Sequence, residues 1–142
     1  MGTIINSAGV KNINNSATHV YGYSMGTINP NGGTKTIDIC PVDQGGWLQF
    51  WVDVRHNNNG NAISCARKIS MGDYSTGGVK NNELILPDVT TSGSTIAFST
   101  VSGEYQCILT NNYAGAIYNC RVLIIACGVT MYINGDSANG TF

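Results

Sequence analysis

The chain of 142 residues contains few charged side chains and no long hydrophobic run. Its seven Lys and Arg residues are balanced by eight Asp and Glu residues, so the formal net charge is −1. Clustered cations are needed to bind nucleic-acid phosphates, and this balance therefore predicts no nucleic-acid partner. No segment approaches the roughly 18 consecutive apolar residues of a transmembrane helix, so we expect no transmembrane segment.

Strong helix-forming residues are also scarce. Ala, Leu, Glu, Gln, Lys, Met and Arg together occupy 30 positions, whereas Ile, Val, Thr and the aromatic residues occupy 50. Branched and aromatic side chains lose rotamer freedom in a helix, but they pack well on a sheet. The composition therefore predicts an all-β protein.

The 18 Gly and 17 Asn residues mark turns that recur about every 8 to 12 residues. Alternating segments between these turns predict about ten short strands. Among them are residues 19–28, 47–55, 62–70, 83–86 and 117–127. We expect one domain over residues 1–142, folded as a two-layer antiparallel β-sandwich or jelly roll. Because residues 122–126 are apolar on both faces, we expect their strand in the middle of a sheet and covered on both sides, either between two layers or under a neighbouring subunit.

Residues 47–55 carry the most informative pattern in the chain. Successive side chains point to opposite faces of a strand. One predicted face, the core side, consists of Leu48, Phe50, Val52 and Val54. The opposite face consists of Trp47, Gln49, Trp51, Asp53 and Arg55. Both tryptophans of the chain therefore share a face with an amide, a carboxylate and a guanidinium group.

This second face has the chemistry of a sugar-binding platform. A sugar offers an apolar C–H face, on which an aromatic ring stacks, and a rim of hydroxyls that exchange hydrogen bonds with polar side chains. The loop that follows adds His56, Asn57 and Asn58, and short amides suit hydroxyl-rich ligands. We expect Trp51 to matter more than Trp47, which follows two glycines and is predicted to lie at the frayed end of its strand. The alternatives are a face buried beneath a second sheet or a subunit, and a loop that is only a solvated turn.

A second alternating segment places aromatic residues on one face of another strand. The residues of this face are His19, Tyr21, Tyr23, Met25 and Thr27. Small residues alternate with them, which indicates close approach of another backbone or of a ligand. From the pattern alone, the aromatic face either belongs to the core or extends the tryptophan platform.

The five cysteines are odd in number, so at least one is unpaired within the chain. Cys107 and Cys120 flank a predicted hairpin loop and are the favoured bridge in an oxidising compartment. Cys40, Cys65 and Cys127 have no favoured partner, and buried free thiols are the alternative for all five. No C-x-x-C pair and no calcium-loop pattern occurs, so we expect neither a metal nor a cofactor.

Catalysis is not predicted. The chain has two histidines, no nucleophile elbow and no H-E-x-x-H pair, although a nuclease built on His19, His56 and Arg55 is conceivable. The first residues lack the basic and apolar regions of a signal peptide, which predicts either a cytoplasmic protein or a mature secreted form.

Three classes of function follow from these features. The sequence predicts first a non-catalytic, lectin-like protein that binds glycans or glycoconjugates and acts as a homo-oligomer, because weak sugar sites gain avidity when several are linked. The first alternative is a structural subunit of an assembly, such as a virion or fibre, which the low charge and the doubly apolar strand also fit. A membrane-active toxin is the next alternative, although no cationic or amphipathic segment supports it.

Overall fold

The computed structural model describes the backbone of residues 4–6, 9–11, 18–42, 45–55, 62–72, 78–90, 93–115, 117–129, 131–133 and 136–138. It describes the side chains of residues 20–42, 45–55, 63–72, 78–90, 93–115 and 120–129. The predictions made for the side chains of His19, His56, Asn57 and Asn58 lie outside these residues.

The described residues form strands and contain no helix. The strands are β1 (Ile4–Asn6), β2 (Gly9–Lys11), β3 (Thr18–Ile28), β4 (Gly33–Pro41), β5 (Gly46–Arg55), β6 (Ala62–Met71), β7 (Val79–Thr90), β8 (Thr95–Val101), β9 (Glu104–Asn111), β10 (Ile117–Cys127), β11 (Met131–Ile133) and β12 (Asp136–Ala138). Eight of them have seven residues or more, and the other four have three residues each.

These strands build two antiparallel sheets. The larger sheet has the order β1-β2-β3-β10-β5-β6-β7, and the smaller sheet has the order β4-β9-β8. The three-residue strands β11 and β12 pair with each other. The predicted all-β fold with two antiparallel layers is therefore confirmed, and eight long strands take the place of the ten short ones expected.

The core lies between the two sheets because alternating side chains of both point toward each other. Along β5, Leu48, Phe50, Val52 and Val54 are all buried, as the alternation predicted. From the smaller sheet, β4 and β9 contribute apolar side chains to the same cluster. Phe50 of the larger sheet meets Phe98 of the smaller one edge to face, with ring centroids 6.1 Å apart.

The aromatic face of β3 belongs to this core. Tyr21 is buried, and Tyr23 and Met25 pack against the core cluster. Tyr21 pairs with Ile124 of β10, which is itself fully buried. The tyrosines therefore do not extend the tryptophan platform, which lies on the other side of the sheet.

Strand β10 lies between β3 and β5, so the predicted position in the middle of a sheet is correct. Val122, Ile124 and Ala126 point into the core and are buried. Leu123, on the other face, is 38% exposed. The expectation of a second covering layer is therefore wrong for the described residues, since the smaller sheet covers only one face, and cover by a neighbouring subunit stays a prediction.

Strand β7 is longer than the sequence pattern indicated. The predicted strand ended before Pro87, whereas β7 continues through this residue to Thr90. β7 is an edge strand with an irregular register. Between the pairs Ser64–Val89 and Ala66–Leu86, the chain advances by three residues on β7 but by two residues on β6. Proline is tolerated at such edges and bulges because its missing N–H is not needed by a neighbouring strand.

All five cysteines are free thiols. Cys107 lies in β9 of the smaller sheet and Cys120 in β10 of the larger one, so the predicted hairpin between them is wrong: the connecting segment crosses from one sheet to the other. Cys107 forms a hydrogen bond with the thiol of Cys65. The thiol of Cys40 donates to Met71 Sδ at 3.9 Å.

Candidate ligand-binding groove

The face of β5 that points away from the core carries all five residues predicted there. Because β5 alternates strictly, Trp47, Gln49, Trp51, Asp53 and Arg55 lie on the side of the sheet that the smaller sheet does not cover. Trp47 is 37% exposed, Gln49, Trp51 and Asp53 are half-buried, and Arg55 is exposed. Within this chain, the alternative of a face buried beneath the second sheet is thus excluded.

Neighbouring strands extend this face sideways into two rows of side chains. The register places Trp51 between Ala66 of β6 and Leu123 of β10. Beyond these two residues, the same row continues to Leu86 of β7 and Gly22 of β3. We call these five residues the apolar row.

The next row along the strands is polar. Asp53 lies between Ser64 of β6 and Arg121 of β10, and Ser24 of β3 follows Arg121. We call Ser64, Asp53, Arg121 and Ser24 the polar row. It is two residues from the apolar row along each strand, a separation of about 7 Å.

A groove of about 680 Å³ lies over the two rows. Trp51 and Leu123 of the apolar row and Ser64, Asp53 and Arg121 of the polar row line it. Leu86, Pro87 and Val89 contribute to its lining from the edge strand β7. From β7 to β10 the groove spans three interstrand spacings, about 14 Å.

The charges of the groove lie in and beside the polar row. Arg55 Nε donates to Asp53 Oδ2 at 3.1 Å, and both side chains are substantially exposed. Arg121, the cross-strand neighbour of Asp53 on β10, is exposed. It makes no ion pair or hydrogen bond within the described residues. Among the described residues, the lining therefore contains two guanidinium groups and one carboxylate, so one of its guanidinium groups has no acidic partner there.

The two tryptophans have different surroundings. The indole Nε1 of Trp51 donates to Gln49 Oε1 at 3.3 Å, which holds the ring in one orientation. Trp47 does not line the groove, and Lys68 Nζ lies 6.0 Å from its ring centroid. Trp47 pairs with Ser70 and Cys127, so it does not lie at a frayed edge.

The structure brings together only part of the predicted site. Trp51, Asp53 and Arg55 line the groove, whereas Trp47 and Gln49 lie beside it on the same face. His56, Asn57 and Asn58 lie outside the described residues. The sequence prediction missed Arg121 and the wall from β7. The alternation in β10 places the apolar Leu123 on the outward face, but no pattern within one segment predicts the register that places it beside Trp51.

Among the described residues, no group of three His, Cys, Asp or Glu residues has an arrangement that could hold a metal ion. No helix of sufficient length and hydrophobicity to cross a membrane occurs in the same residues.

The groove is thus an uncovered, mainly apolar surface with one charged border. No family model, curated protein or solved structure matches the chain.

Proposed function

We propose that the protein is a non-catalytic carbohydrate-binding protein whose site is the groove on the outer face of the larger sheet. The observation that carries this proposal is the apolar row lying directly beside the polar row. A sugar ring needs both, since its C–H face packs on an aromatic or aliphatic surface while its hydroxyls need donors and acceptors.

The individual residues divide this task between them. The ring of Trp51, held by Gln49, supplies a rigid stacking surface that loses little conformational entropy when a ligand binds. Asp53 accepts hydrogen bonds, whereas Arg121 donates them. Both residues line the groove.

The acidic groups of the groove support binding without hydrolysis. Among the described lining residues, Asp53 is the only carboxylate, and it is already paired with Arg55. Hydrolysis of a glycosidic bond by the usual mechanism needs two carboxyl groups on opposite sides of the bond. The proposal is therefore that the protein binds glycans or glycoconjugates and does not hydrolyse them.

Replacement of Trp51 by Ala tests the proposal. We expect binding to glycans on an array, measured for the wild type first, to fall by at least 10-fold, because the stacking surface is lost. The free energy of unfolding should fall by only about 1 kcal/mol, since the side chain lies on an uncovered face. Trp47→Ala removes the same side chain beside the groove, and we expect it to weaken binding less.

Fluorescence gives a second measurement on the same variants. Acrylamide should quench the tryptophans of the free wild type, and a bound glycan should protect Trp51. If Trp51→Ala binds as well as the wild type, or if the wild type binds no glycan on the array, the proposal is wrong.

A second candidate function, a subunit of a larger assembly, is favoured by the edge strand β7. Four of its aliphatic residues, Leu84, Ile85, Leu86 and Val89, are exposed, and on its outer side it pairs with no strand among the described residues. Exposed apolar edges pair readily with another chain. We propose that two copies associate through β7, which would also link two sugar sites and raise their avidity.

Light scattering at several micromolar concentrations tests this association. We expect a mass of at least twice 15.0 kDa for the wild type and a monomer for Leu84→Lys, because a charge replaces a side chain that is 61% exposed on β7. Val101→Lys places the same charge on β8, where Val101 is 48% exposed, and should leave the mass unchanged. A wild-type monomer would contradict both the assembly and the avidity argument.

A further inference from the structure

One arginine of this chain, Arg121, differs from the others in its ion pairing among the described residues. The chain has three arginines. Arg55 pairs with Asp53, and Arg67 pairs with Asp88 of the edge strand β7. Arg121 has no acidic partner within the described residues. Its exposed guanidinium lines the groove beside the apolar row.

From this arrangement we infer that the groove selects a sugar that carries a carboxylate, with Arg121 binding the carboxylate and Trp51 stacking on the sugar ring. The inference rests on the proposed carbohydrate-binding function and names its ligand class. Arginine presents a planar fork of donors that matches the two oxygens of a carboxylate. A guanidinium that has no acidic partner among the described residues, at the border of an uncharged apolar surface, is complementary to one negative charge on a sugar.

The neighbouring charges support this assignment. The carboxylate of Asp53, the acid nearest along the polar row, is engaged by Arg55 Nε at 3.1 Å. Arg121 is therefore not neutralised by a close contact with Asp53, although the two residues are direct cross-strand partners. Leu123 follows Arg121 by two residues on the same face, so an anionic group on Arg121 leaves the ring of the ligand next to Leu123 and Trp51.

The probes are trigalacturonate and its methyl ester, in which a neutral methyl ester takes the place of each carboxylate, together with sialyllactose and lactose, which lacks the carboxylated sugar. Titration calorimetry on the folded wild type should give at least one acidic sugar a dissociation constant 10- to 100-fold lower than that of its neutral counterpart. This factor is the effect expected for a hydrogen bond between charged groups.

Arg121→Gln should reduce the affinity for the acidic sugar to that for the neutral one and leave the neutral affinity within about 2-fold. Arg121→Lys keeps the charge but not the fork, so it should restore only part of the loss. Lys68→Gln removes the same charge from the same face outside the groove and should change the acidic affinity less than 2-fold. The exposed position of Arg121 predicts unchanged melting temperatures for both of its variants.

Several outcomes would overturn the inference. If the acid and its ester bind equally, or if Arg121→Gln weakens both alike, the carboxylate is not recognised, while the proposed sugar-binding function stands. If dextran sulfate binds and neither carboxylated sugar does, the ligand class is wrong. If neither charged nor neutral sugars bind the wild type, the proposed function fails and the inference fails with it.

Discussion

Gly46→Ala is expected to destabilise the protein by about 4 kcal/mol, the largest effect we predict for a single methyl group. Gly46 begins β5 with a φ of +112°, a conformation that a residue with a side chain rarely adopts. An added Cβ would also collide with the carbonyl oxygen of Cys127 and lie 2.9 Å from the carbonyl carbon of Gly128 and from Val129 Cγ2. Backbone strain and overpacking each cost about 1 to 3 kcal/mol, and here they act together.

The preceding glycine provides a matched control. Gly45 has no positive φ, and a Cβ on it would meet nothing within 4 Å. Gly45→Ala should therefore change the free energy of unfolding by less than about 0.5 kcal/mol. Urea unfolding followed by circular dichroism measures both variants. Equal stabilities for the two would contradict the crowding described at Gly46.

The difference between these adjacent glycines could not be predicted from the sequence. Both residues read as parts of one turn before the tryptophan strand, and no local pattern separates them. The distinction arises because the residues at the end of β10, about 80 positions further on, occupy the space into which a Cβ on Gly46 would project, whereas a Cβ on Gly45 would meet no atom within 4 Å. Close approach of two distant backbones leaves no periodic signal.

Alternation within a strand was predictable, because it depends only on the period of two residues. It gave both faces of β5 correctly, with Leu48 and Phe50 inside and Trp51 outside. It did not say which face of β3 is the core side, since Tyr21 fits a buried or an exposed face equally well. The walls of the groove depend on which strands are neighbours. A pattern within one segment therefore could not predict that Arg121 and Leu86 line the groove.

The second large effect we expect is a loss of stability in mildly alkaline solution. Burial raises the pKa of the Cys40 thiol from 9.0 to about 12 and that of the Cys120 thiol from 9.0 to about 11. The Cys107 pKa is raised as well, by its hydrogen bond with Cys65 and by burial. All three thiols remain protonated in the folded protein at a pH where the unfolded chain has released their protons.

The sign of the effect follows from this difference. Below pH 9 both states keep the protons, and the contribution of Cys40 and Cys120 to stability is fully present. Above pH 9 the unfolded state binds fewer protons than the folded state, so the free energy of unfolding falls as the pH rises toward the folded pKa values. The slope of each thiol rises toward about 1.4 kcal/mol per pH unit from half of this limit at pH 9, which gives a loss of about 3 kcal/mol for the two between pH 9 and 10.5.

Urea unfolding at pH 7.5, 9.0 and 10.5, with a phosphine reductant to keep the thiols reduced, measures this loss. Cys40→Ala should reduce the slope above pH 9 by about 1.4 kcal/mol per pH unit, because one titrating group is removed. Ile39→Val shortens the adjacent buried side chain, lowers stability at every pH, and should leave the slope unchanged. A free energy of unfolding that stays constant from pH 9 to 10.5 would show that the thiols ionise as readily in the folded protein as in the unfolded chain. The same conclusion would follow for Cys40 if its variant kept the wild-type slope, because its buried thiol would then hold its proton no more tightly than solvent-exposed cysteine does.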